Sequence, residues 1–272
     1  MKGFFRKFYL IIKFRLFQPS IKQIRTKRKN ELNLDHKYDF VVILTQFKRK
    51  NLALQLEAIK RQTKKPNLII VFQNELHADI EHLKEIYEFH HVQNTFNTKY
   101  FGRFSYCLNF NANNIIIMDD DILPGPSCFE SYINQMQSLN AIVGGNGRIA
   151  EINPNKDSLY HPPDYGIRPE STLVDFVGHL WCFKHEWVYK MFTIKPSTLQ
   201  TGEDMHFCFS LKLDSNIPSY SASQQSLDEC CDTSDNVLGT DDLASFKITR
   251  NATRIDVEKY FLRKGLAFIS EN

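Results

Sequence analysis

Residues 115–118 are Ile-Ile-Ile-Met, and the next three are all aspartate: Asp119, Asp120 and Asp121. A continuous apolar run of this length reads as a strand buried on both faces. Three adjacent carboxylates cannot follow that strand into a core, because unpaired buried charge is too costly. The strand must therefore end at an open edge, where Ile122-Leu123-Pro124-Gly125-Pro126 turns the chain. Two earlier runs have the same character, Asp39 to Leu44 and Asn67 to Phe72. Segments with helical spacing separate them: Phe47 to Gln62, Ala78 to Phe89 and Phe101 to Phe110. Strands alternating with helices signal an α/β chain with a mainly parallel sheet. In such sheets ligands bind at the carboxyl edge.

The pattern becomes mixed after about residue 141. Ala141 to Ile149 and Leu173 to Phe183 read as strands, and Gly202 to Leu213 as a helix. Residues 151–170 carry four prolines and read as a long loop, and residues 221–242 as a polar, mobile loop.

Charge divides the chain in two. The net charge is +3, but residues 1–30 hold ten Lys or Arg and no acid, so residues 31–272 carry 24 basic against 31 acidic groups. This distribution gives no basic surface for nucleic acid outside the tail. Phe4 to Phe17 is aromatic and apolar, interrupted by Arg6, Lys7, Lys13 and Arg15. Its longest uncharged run is Phe8 to Ile12, against about 20 residues for a membrane span. Beside the polybasic run Lys22 to Lys29 it reads as a helix adsorbed on an anionic membrane, or as a helix packed on the domain. Residues 1–35 are thus a separate N-terminal segment, and 36–272 one domain. With no secretory leader visible, the expected location is cytoplasmic, peripheral on the inner face of the membrane. The six cysteines form no CxxC pair and read as reduced; Cys107, Cys128, Cys182 and Cys208 lie in apolar surroundings and read as small buried side chains.

Two acidic elements carry candidate chemistry. Alternate residues of an extended segment point the same way, so Asp119 and Asp121 can converge on a hard divalent ion, Mn²⁺ or Mg²⁺. Solvated turn acids are the alternative. Thr201-Gly202-Glu203-Asp204 precedes a helix; Thr201 and Asp204 match a capping box, while Asp204 or Glu203 could instead act as a base. His179 or His206 could add a third metal ligand.

Taken in order, several pieces resemble GT-A-fold nucleotide-sugar glycosyltransferases. They are Val41 to Thr45, Ile69 to Asn74, Gly102-Arg103-Phe104, Ile117 to Asp121, Val177 to Phe183 and Gly202 to Phe207. They are similar to family-2 bacterial enzymes and to the exostosin-like GT-A group. The resemblance implies a GT-A-type, Rossmann-like mixed sheet flanked by helices, with a nucleotide-sugar half (36–150) and an acceptor half (151–272). It implies a hexosyl- or N-acetylhexosaminyltransferase using a UDP-sugar and a glycan or lipid-linked acceptor in cell-surface polysaccharide synthesis. Thr45, Asn74, Arg103, Asp119 and Asp120 would contact the nucleotide-sugar. Asp121 and Asp119 would hold the metal. Gly178, His179 and Trp181 would line the acceptor side, and Asp204, with Glu203, would be catalytic. A retaining enzyme would use Asp204 differently, with Arg250 or Arg254 assisting the leaving group. A Mg-dependent nucleotidyltransferase and a non-catalytic interaction protein remain the competing readings.

Overall fold

The computed structural model describes residues 36–150, 159–161, 166–234, 238, 242 and 251–269. The N-terminal segment 1–35 lies outside the described residues, as do most of 151–165 and of 235–250.

Strand β1 (Lys37–Gln46) forms because Val41 to Leu44 bury both faces completely. It pairs in parallel with β2 (Leu68–Gln73) and with β4 (Asn111–Met118), and Ile43 aligns with both Ile70 and Ile117. Helix α1 (Leu52–Lys60) makes the first crossover, inserting Leu52, Leu56 and Ile59 into the core. β3 (His90–Gln93) extends the same edge. Beyond β4 the sheet reverses: β8 (Phe176–Lys184) is antiparallel to β4, and β5 (Ile142–Ile149) is antiparallel to β8. β9 (Ser219–Ser221) runs parallel to β5, and β7 (Thr172–Val174) closes the order β3-β2-β1-β4-β8-β5-β9-β7, with β6 (Leu159–His161) on β5. Among the described residues, β1 to β5 and β9 therefore share one direction. The remaining helices are α2 (Phe101–Tyr106), α3 (Cys128–Leu139), α4 (Val188–Met191), α5 (Glu203–Ser215) and α6 (Asn251–Leu262). This is the expected mixed, mainly parallel α/β architecture. It brings the ends of β1 and β4 and the start of β8 to one edge.

An aromatic block lies beneath that edge. Phe104, Trp181, Phe183 and Phe207 are buried, and their rings approach to between 4.8 and 6.4 Å. Removing one such ring costs about 3–5 kcal/mol, so the block is a rigid floor. All six cysteines are buried, Cys230 and Cys231 as well as the four in apolar runs.

Three expectations are corrected. Ala78 to Phe89 is not an α-helix; only Glu81–Glu85 forms a 3₁₀ turn, and β3 follows. Its buried anchors are sparse, with Ile80 and Leu83 inside but Ile86 exposed. Leu173 to Phe183 is two strands, broken at Asp175. That carboxylate is buried, accepts from the backbone N–H groups of Ala150 and Ile269, and pairs with Lys212 at 3.1 Å. The loop expected from residue 221 is packed against the domain over its described part. Backbone bonds lace Gly125 N to Cys230 O, Ser127 N to Asp228 O and Thr233 N to Leu123 O, at 2.7–2.8 Å. Gly125 is required there, because a Cβ would lie 2.3 Å from the Leu227 carbonyl oxygen.

Candidate active site

Leu44 aligns with Met118, so Thr45 stands level with Asp119 on the neighbouring strand. Helix α2 places Arg103 above this point. Its guanidinium donates to Thr45 Oγ1 at 3.1 Å, to the Asp119 carboxylate, and to Glu203 Oε1 at 3.0 Å. It is 3% exposed and lies 4.5 Å from the centre of the Trp181 ring. Burial works to lower its pKa, but the charges of Asp119 and Glu203 outweigh burial and raise it. Arg103 is thus a fixed cation, not a solvated helix charge. It joins residues that lie 58, 16 and 100 positions away in the chain.

The aspartate run itself is a turn, not an extended strand. The expectation that alternate residues point together is therefore corrected. Asp119 turns to Arg103, whereas Asp120 and Asp121 share Arg49, which lies 3.3 Å from Asp121 Oδ2. Gln55 from α1 donates to the carbonyls of Asp119 and Ile122 at 2.7 and 3.0 Å, and Asn51 donates to that of Asp120 at 3.3 Å. These bonds hold the turn. Burial pushes the Asp120 carboxyl up to about 7, although Arg49 opposes the shift. Burial, with the Asp119 charge, pushes Asp121 up to about 6.

The second acidic element meets the first through Arg103. The helix N-cap is Gly202, with a φ of 77°, and it offers no side chain to cap the helix. The Thr201–Asp204 capping box therefore does not form. Glu203 is 5% exposed; burial first, then the Asp204 charge, pushes it up to about 7. Asp204 faces the other way. Its Oδ2 accepts from Arg254 at 2.7 Å and its Oδ1 from the Met205 backbone N–H at 2.8 Å.

Other expected residues divide. The His179 carbonyl accepts from the Asp119 backbone N–H at 3.0 Å, so His179 and Gly178 border the cluster. A Cβ at Gly178 would meet nothing within 4 Å, so this side is open. Trp181 is not on that face; it is buried and donates to the Val177 carbonyl at 2.7 Å. Asn74 stands at the end of β2, but its carboxamide makes four hydrogen bonds to Asn97, Thr98 and Lys99. It orders that loop instead of facing open space. His206 is a core residue, bonded to the Met191 carbonyl and packed by Phe101 and Phe261. The residues missed from sequence are Arg49, Asn51, Gln55 and Asp232. Asp232 is buried, and its charge helps to raise Asp121.

These acids offer only oxygen donors, and their mutual repulsion is what a hard cation relieves. Among the described residues no group of three or more His, Cys, Asp or Glu could hold a metal. A Mg²⁺ or Mn²⁺ ion here would rest on one or two carboxylates and be completed by phosphate oxygens and water.

No protein-family model and no curated protein matches the chain. Among solved structures it is similar to S. aureus TarS, at 14% identity and a TM-score of 0.49, over 68% of this chain and 37% of that one. Residues 1–349 of S. aureus TarS give the same identity and TM-score, over 68% of this chain and 60% of that one. The chain thus spans less than two thirds of either length. At this level of likeness nothing follows about what the chain acts on.

Proposed function

We propose that the protein is a metal-dependent glycosyltransferase. It would move a sugar from a nucleotide-sugar, a UDP-sugar by resemblance, to a glycan or lipid-linked acceptor in cell-surface polysaccharide synthesis. The observation that carries this reading is Arg103, buried between Asp119 and Glu203. It unites the two acidic elements, at the strand edge where α/β sheets bind ligands.

Asp121 and Asp119 would hold Mn²⁺ or Mg²⁺. When bound, such an ion stabilises the departing diphosphate as a Lewis acid. Arg103 holds Asp119 in one orientation and keeps Glu203 paired. Thr45 and Asp120 border the nucleotide side, and Gly178 and His179 the acceptor side. Asp204 would take the proton of the acceptor hydroxyl. Both of its oxygens accept hydrogen bonds, from Arg254 and Met205, which fixes the carboxylate while lone pairs remain for that proton. The Asp204–Arg254 pair also favours a second reading, a retaining enzyme in which Arg254 meets the leaving group. The sugar configuration of the product separates the two.

The test is turnover of a panel of UDP- and GDP-sugars with Mn²⁺. UDP release is expected. Asp121→Ala should lower it about 100-fold or more, equal to about 3 kcal/mol of transition-state stabilisation. Full activity in Asp121→Ala would remove that residue from the mechanism. Pyrophosphate release from a nucleoside triphosphate would make the protein a nucleotidyltransferase instead. No helix among the described residues is long and apolar enough to cross a membrane. Peripheral attachment through residues 1–30, on the inner face of the membrane, belongs to the same proposal. Equal pelleting on anionic vesicles with and without residues 1–30 would overturn it.

A further inference from the structure

The chain following α4 and the carboxyl end of α6 form one surface. Tyr260 Oη donates to the Lys195 carbonyl at 2.7 Å, and Gly202 lies against Val257. The segment from residue 192 to 202 therefore runs alongside α6 and ends at the Glu203–Asp204 element. Val257 and Phe261 face inward, while Lys259 and Arg263 are exposed on the opposite side of the helix. Lys195 and Lys264 are also exposed. Among the described residues none of these four cations is paired with an acid. Lys264 lies over the Tyr260 ring instead. The acids on these elements are Asp256, which is exposed, Glu258, which is buried, Asp214, which Lys190 pairs at 2.7 Å, and Glu186, exposed just before α4.

Two large apolar side chains protrude from the chain after α4: Phe192 is 37% exposed and Leu199 61%. Tyr189, on α4 itself, instead lines a cavity with Asn111, Lys184 and Glu186. Three cations at the end of α6, with Lys195 held beside them by Tyr260, also contrast with a body in which acids outnumber bases, 31 to 24, over residues 31–272. Protruding apolar groups beside long cationic side chains suit a lipid surface. The apolar groups enter the boundary between headgroups and chains, and the lysine and arginine stems reach the phosphates. We propose that this face, Phe192 to Leu199 with Lys259 to Lys264, rests on an anionic membrane, independently of residues 1–30. It would hold the Asp204 side of the cluster near the bilayer. The proposal does not depend on the site transferring a sugar.

The full chain tests it. All six native cysteines are buried, so an exposed Ser197→Cys takes a polarity-sensitive thiol label selectively, and Leu199 is kept. Glu85→Cys, exposed near the β3 edge of the sheet, is the control. The label at 197 should shift to the blue on vesicles of phosphatidylcholine with phosphatidylglycerol, and not on phosphatidylcholine alone. The label at 85 should not shift. Surface Lys and Arg side chains are drawn to anionic headgroups. The shift should therefore be lost when Lys195, Lys259, Arg263 and Lys264 are changed together to Gln, even though residues 1–30 remain. These side chains are exposed, so an unchanged thermal melt confirms that the variant is folded. An unmoved label at 197, equal shifts at 197 and 85, or a shift that survives the fourfold change would overturn the proposal. So would a shift produced by raising protein concentration without vesicles, which would assign the face to a second copy.

Discussion

Arg103 reaches the aspartate run from helix α2, whereas Arg49 reaches it from the turn after β1, just past Lys48 with its φ of 62°. Arg103 has a rigid floor in Trp181 and two carboxylates on separate elements. Arg49 has two neighbouring carboxylates on one turn. Access to water sets Glu203 apart. Its side chain is 6% exposed, while Asp119, Asp120 and Asp121 are 28%, 14% and 21% exposed. A cation held from two sides in a dry place is part of the frame. One that covers two acids from a turn can be replaced at those acids by another cation. The first fixes the frame of the cluster, and the second covers Asp121, where the proposed metal would compete with it.

The largest test of this contrast is Arg103→Ala. It strands Asp119 and Glu203 without their cation, and breaking a buried pair from one side costs about 3–5 kcal/mol. For a domain of this size the melting temperature should fall by roughly 10 °C. A fall of only a degree or two would mean that water reaches the cluster and that the frame lies elsewhere. Arg103→Lys should recover little, because a single ammonium cannot span Thr45, Asp119 and Glu203 as a planar fork does.

A smaller effect is expected from pH. The folded pKa of Glu203 lies near 7, above its ordinary value of 4.5, because burial disfavours the charged form. Between about pH 4.5 and 7 the folded chain therefore holds a proton that the unfolded chain has released. The contribution is fully present below pH 4.5 and is lost as pH rises through 7. Denaturant melts should show wild type losing roughly 2 kcal/mol more than Glu203→Gln across that window. Asp120, also raised by burial to about 7, adds a slope of the same sign, so Glu203→Gln should flatten the profile only in part. Parallel profiles would show Glu203 to be ionised throughout.

Much of the frame was visible in sequence, because β1, β2 and β4 are continuous apolar runs that only a doubly covered strand explains. β3 was not, because an edge strand with half-buried His90 and His91 carries no apolar signature. The site was legible in pieces: Thr45, Arg103, Asp119 and Glu203 were each singled out. Their union was not, because it depends on a contact between residues 100 apart. Trp181 was misplaced because alternation in a strand tells which residues share a face, not which face is buried. Arg49 was overlooked because Lys48-Arg49-Lys50 reads as a solvated basic turn. The loop after residue 221 looked mobile because its anchors are backbone bonds to Leu123, Gly125 and Ser127, which no side-chain pattern records.

Arg49→Ala should show the smallest effect. Its partners keep some access to water, so the loss should be about 1 kcal/mol, nearer to an exposed pair than to a buried one. The melting temperature should drop by only a few degrees. The chemical effect should be clearer than the thermal one. Arg49 opposes the burial that raises both Asp120 and Asp121, so its removal pushes both carboxyls further up. At pH 6 the acids of Arg49→Ala should be protonated more fully than in wild type, and the difference should shrink as pH rises to 8. Mn²⁺ binding to the nucleotide-free protein, followed by calorimetry, should thus be weaker in the variant at pH 6. The deficit should shrink or reverse by pH 8, because the acids ionise and the competing guanidinium is gone. A variant whose deficit is the same at both values would show that Arg49 belongs to the frame after all. The contrast with Arg103 would then be one of degree and not of kind.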